Sequence, residues 1–162
     1  LRWEAVAAGA VPANRESAVL VRKPGANRVV YFGGRSGGTV RTDAWQFDFD
    51  VLEWRSLGAA SAFGITGGSA VWDPRAGRVL VQGAETAGGS IAGLLAIDVE
   101  AATVVDVSPS CAGCPPGGML AVDPRNRALY RTVHDAAGIR VLRADLAALG
   151  AGAVWHDPAP VP

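Results

Sequence analysis

Short apolar runs separated by clusters of Gly, Pro, Asn and Asp recur along the whole chain, the pattern of strands and tight turns rather than of helices. In the stretch AWQFDF the side chains of Trp45, Phe47 and Phe49 fall on one side of a pleated strand, and Gln46 and Asp48 on the other. Three segments align on a small-apolar strand start: SAVLVRKPGANRVVYFGG from Ser17, SAVWDPRAGRVLVQGA from Ser69 and LAVDPRNRALYRTV from Leu120. Arg28, Arg78 and Arg127 each open a run of strand formers and lie 50 and 49 residues apart. Each unit divides into four predicted strands: 17–22, 28–34, 43–50 and 52–57; then 68–73, 78–83, 93–99 and 103–108; then 118–123, 128–133, 139–146 and 153–157. The first turn of each unit is marked by Pro24-Gly25-Ala26-Asn27, Pro74-Arg75-Ala76-Gly77 and Pro124-Arg125-Asn126, because Pro presets one turn dihedral and Gly or Asn tolerates the left-handed region. Only residues 143–152 fit a helical turn, and they fit a connector equally well.

A period near 50 residues is the kelch spacing, longer than that of WD40 repeats. The first unit resembles a kelch repeat in its motifs as well: an apolar strand running into Gly33-Gly34, a spacer, Asp43-Ala44-Trp45, then Trp54 in the outer strand. The second unit keeps Gly83 of the glycine pair, and the third has Thr132-Val133 in its place. The resemblance implies an all-β chain, a partial β-propeller of three four-stranded antiparallel blades at about 12–57, 64–108 and 117–157. Trp3, Trp54 and Trp155 recur at about one and two periods, which predicts an extra outer strand at residues 1–7 and equivalent fourth-strand positions for all three. Three blades do not close a ring. Further blades or a second copy are therefore expected against the open faces.

Fifteen Lys and Arg balance fifteen Asp and Glu, so no net charge draws the chain to a nucleic acid or an anionic membrane surface. No apolar run approaches the roughly 18 residues of a membrane-spanning helix, and membrane insertion is not expected. Leu1 opens the sequence and Met119 is its one methionine, which reads as a removed leader or a piece of a longer chain.

Antiparallel topology collects the loops 35–42, 84–92 and 134–138 on one face with the connectors 8–16, 58–67 and 109–117. Long loops on a rigid scaffold are where binding residues concentrate. Pro12-Ala13-Asn14-Arg15 is similar to the kelch stretch ahead of the first strand. Arg15, Arg35 and Arg41 are thus the candidate ligand-binding residues, suited to a carboxylate or phosphate through forked hydrogen bonds. The competing role for Arg15 is an ion pair with a carboxylate such as Asp43 that ties the structure together.

Cys111 and Cys114 have the spacing of a loop-closing disulfide, of two inert thiols or of a redox or metal half-site. With no second cysteine pair and only His134 and His156, a tetrahedral metal site lacks ligands, and Pro115-Pro116 opposes a thioredoxin-type helix. No metal, cofactor or catalytic residue is expected. The functional expectation is a non-catalytic scaffold that binds a protein segment or glycan on its long-loop face. The alternatives are non-catalytic blades of a larger propeller enzyme of galactose-oxidase-like architecture, or a structural subunit of a large assembly.

Overall fold

The computed structural model describes residues 9–58, 61, 63–83, 89, 93–112, 114–136 and 138–158. The predicted outer strand at 1–7, with Trp3, and most of the loop 84–92 lie outside the described residues. The structure is all-β. Sheet one is an antiparallel meander of β1 (Val19–Lys23), β2 (Arg28–Phe32), β5 (Ala44–Asp48) and β6 (Glu53–Ser56). A two-stranded hairpin, β3 (Arg35–Ser36) and β4 (Thr39–Val40), fills the stretch 35–42 expected to be an open loop. Its turn is Gly37-Gly38, both at positive φ, the conformation a two-residue hairpin turn needs.

Sheet two repeats the meander with β7 (Ser69–Asp73), β8 (Arg78–Gln82), β9 (Leu94–Asp98) and β10 (Thr103–Asp106). Sheet three has three strands, not the expected four: β11 (Leu120–Asp123), β12 (Ala128–Asp135) and β13 (Gly138–Asp145). Residues 153–157 do not form a strand there. They make one antiparallel bridge, Arg143 to His156, and one parallel bridge, Ser110 to Val154. Two glycines at positive φ, Gly150 and Gly152, deliver the chain to this position after a 3-10 turn at Leu146–Ala148. The loop expected at 134–138 is instead the tip of a longer hairpin, with Asp135 opposite Gly138.

The register of sheet three also differs from the arginine alignment. Lys23 pairs with Arg28, Asp73 with Arg78, and Asp123 with Ala128, so the strands repeat at 50 residues in both steps. Arg127 sits in the turn, at the left-handed position (φ 51°) that Gly77 holds (φ 67°) in sheet two.

The sheets stack in sequence order, each using its two faces differently. We call the face toward the following sheet leading and the other trailing. The leading face of sheet one (Val19, Val30, Phe32, Ala44) packs on the trailing face of sheet two (Val79, Val81, Leu95, Ile97). The leading face of sheet two (Leu80, Leu94, Ala96) packs on the trailing face of sheet three (Leu120, Leu129, Leu142, Ala144). The first strands lie side by side across the stack, β1 against β7 and β7 against β11. Leu120 N donates to Ser69 Oγ at 3.0 Å across the second junction.

The bridge from Arg143 to His156 sets Trp155 opposite Ala144, as Trp54 lies opposite Phe47. The two tryptophans occupy equivalent positions but differ in exposure. Trp155 is 5% exposed under sheet two, whereas Trp54 is only half-buried, against Tyr31 and Phe47 at ring distances of 5.6 and 5.0 Å.

Candidate functional site

The segment before β1 is fastened to the hairpin. Glu16 N donates to the Arg35 carbonyl at 2.9 Å and Arg35 N to the Glu16 carbonyl at 2.8 Å. This pairing places Arg15 and Arg35 on the wall of an open recess of about 430 Å³, lined by Asn14, Arg15, Glu16, Arg35, Ser36 and Gly37.

The three candidate arginines part ways here. Arg15 makes the ion pair expected as its competing role: its side chain is 1% exposed and grips Asp43 with both terminal nitrogens, Nη1 to Oδ1 at 2.7 Å and Nη2 to Oδ2 at 2.8 Å. It also donates to the carbonyls of Ala13 (2.9 Å) and Gly33 (3.0 Å) and lies over the Tyr31 ring. Arg35, half-buried, stands on β3 at the recess. Arg41 is not among the lining residues. It follows β4, its N–H donates to Gly34 O at 2.8 Å, and its buried Nε has no hydrogen-bond partner among the described residues.

Asp43 is held by Trp45 as well, whose indole N–H donates to Oδ2 at 2.6 Å. Burial raises the Asp43 pKa, but the Arg15 and Trp45 hydrogen bonds and the Arg15 charge outweigh it, leaving the carboxyl below its usual value. A depressed carboxylate contributes stability that is present above its unfolded-state pKa, about 3.9, and lost as pH falls through the lower folded value. Asp43→Asn is therefore expected to destabilise the protein at neutral pH, with the gap to the parent narrowing below about pH 4. Urea unfolding at a series of pH values measures this. A gap independent of pH would show that the ion pair carries none of it.

A second polar cluster, missed in the sequence, lies in the junction of sheets two and three. Arg131 is wholly buried, and its Nε donates to Gly117 O at 3.0 Å while Nη2 donates to Pro115 O. Gln82 Nε2 donates to the same Gly117 carbonyl, and Trp155 lies over the guanidinium at 5.9 Å. Burial lowers the Arg131 pKa, and its Nη1 has no hydrogen-bond partner among the described residues. The only sequence signal was an Arg at a position filled by Tyr31 and Val81 in the other units. Cys111 and Cys114, in the loop whose carbonyls hold Arg131, form a disulfide.

Among the described residues, no three His, Cys, Asp or Glu side chains gather as a metal site. Compared with protein-family models and with curated protein sequences, the chain matches none.

Proposed function

We propose that the three sheets are blades of a kelch-type β-propeller and that the chain is a non-catalytic binding module. It docks a protein segment or glycan through an anionic group at the Arg35 recess. The observation that carries this reading is the recess itself, an open concavity of about 430 Å³ beside the β3–β4 hairpin and bearing Arg35. The 50-residue register and the side-by-side first strands support the blade reading. Arg35 stands at the recess with a guanidinium whose geometry suits forked hydrogen bonds to a carboxylate or phosphate, which a ligand would have to make alongside the interactions Arg35 already has.

Arrays of acidic peptides, phosphopeptides and acidic glycans distinguish the ligand sources. A ligand retained by the parent is expected to weaken about tenfold or more on Arg35→Ala, the loss of a charge-assisted contact. Arg125→Ala, an exposed arginine in the Pro124-Arg125-Asn126 turn, is expected to leave it unchanged. Binding indifferent to Arg35, or no binding on any array, overturns the reading.

A further inference from the structure

Both internal junctions join a leading face to a trailing face, and among the described residues two such faces are left over. The trailing face of sheet one carries Leu20, Arg22, Tyr31, Trp45, Phe47 and Trp54. The leading face of sheet three carries Met119, Asp123, Tyr130, Thr132, Val141 and Arg143. Large apolar side chains stand in solvent on each: Leu20 is 60% exposed, Met119 68%, and Ile139, beside Val141 on the same face, 76%. Patches of this kind on a folded surface mark an interaction site.

The repeat register says which residues would meet if the two faces were brought together as the internal ones are. At the second junction Ser69 touches Leu120, and at the first Val19 and Ala70 share a core. One period on, the same position pair is Met119, which immediately precedes β11 and is 68% exposed, and Leu20 in β1, which is 60% exposed. At the first junction Lys23 Nζ lies 5.8 Å from the centre of the Trp72 ring. The corresponding pair across the unfilled junction is Asp123 and Arg22, which carry opposite charges. The apolar match and the charge match fall at independent positions, and both arise from one transposition.

We infer that the occupant is a second copy of this chain: sheet three of each copy stacks its leading face on sheet one of the other, closing a two-fold pair through two identical junctions. Met119 packs on Leu20 of the second copy and Asp123 pairs with its Arg22. Trp54 then becomes covered as Trp155 already is. This pairing uses only the stacking order of the sheets and is independent of the ligand at Arg35, so a failure of either leaves the other standing.

Light scattering on the full chain provides the test. The parent is expected at twice its 16.6 kDa mass. Arg22→Asp and Asp123→Arg, each placing like charges in contact, are expected to weaken the pair about tenfold or more. Arg22 is exposed, whereas Asp123 is half-buried and its carboxylate also accepts from Arg125 N, Asn126 N and Asn126 Nδ2 in the turn. Circular dichroism and a thermal melt therefore check that each variant is folded, and mixing the two separates charge from turn loss. An equimolar mixture of the two single variants restores opposite charges at both junctions and is expected to return to the parent mass as a mixed pair. A monomeric parent, single variants that pair as the parent does, or a mixture that stays monomeric overturns the inference. So does an open assembly whose mass grows with concentration.

Discussion

Alanine at Gly118 is expected to lower the unfolding free energy by roughly 2–6 kcal/mol, the sum of backbone strain and overpacking costs of about 1–3 kcal/mol each. Gly118 sits at φ +97°, which L side chains rarely adopt, and an added Cβ would run into the Thr132 carbonyl. That carbonyl is backbone in the middle of β12 and cannot swing away. The two strands are also tied at this point, with Thr132 N donating to Met119 O at 3.0 Å and Met119 N to Thr132 Oγ1 at 2.9 Å. The substitution therefore pries β11 from β12. Gly25→Ala is the control, also at positive φ (+76°) but facing open space, and it is expected to cost only about 1–2 kcal/mol. Denaturant midpoints for the two variants measure the difference. Equal costs would show that strain alone, and not the closeness of β12, sets the Gly118 penalty.

Phe32→Ala is expected to cost about 3–5 kcal/mol, the range for emptying an aromatic site in a packed core. Phe32 is 1% exposed and fills the junction between sheets one and two with Val30, Ala44, Val81 and Leu95. Against a total stability of about 5–15 kcal/mol for a domain, that cost is a large fraction. Leu20→Ala, on the same sheet but on its open face, is expected to change the monomer by no more than about 0.5 kcal/mol. If thermal unfolding separates these two variants by less than their error, Phe32 does not hold the junction.

Much of the architecture was legible because it is local. Pro at the first turns and alternation in the strands placed every strand of sheets one and two to within a few residues. At the pair Gly33-Gly34 side chains would clash: a Cβ on Gly33 would meet the Ile65 carbonyl, and one on Gly34 would meet Ala18 and the Glu16 carbonyl. What stayed hidden depends on tertiary context. Arg127 aligns with Arg28 and Arg78 ahead of a strand-forming run, yet unlike them it fills a left-handed turn position that usually falls to Gly. The Gly37-Gly38 turn was present as a hairpin signal, but with so few flanking residues it read as a loop.

Buried polar residues were the least visible. Alternation assigned Gln46 to a polar side, whereas it is 4% exposed because sheet two covers that face. Nothing near Arg131 in the sequence marks it as buried, since the groups that enclose it come from Gln82, residues 115–117 and Trp155. For the candidate arginines the sequence offered composition and position. It took the geometry to separate Arg15, bound to Asp43, from Arg35 at the recess.

The half-strand at 153–157 gives the molecule an uneven local stability. It is held by the reciprocal Arg143–His156 bonds on one side and the Ser110 bonds on the other, with no longer ladder behind them. When it lifts away, Trp155 leaves the Arg131 guanidinium, and a charge enclosed without a carboxylate regains water. Hydration of that ion offsets part of the cost of detaching the segment. The amides of Trp155 and His156 are thus set to exchange with solvent well before those of β12, through an opening that leaves the three-stranded sheet intact.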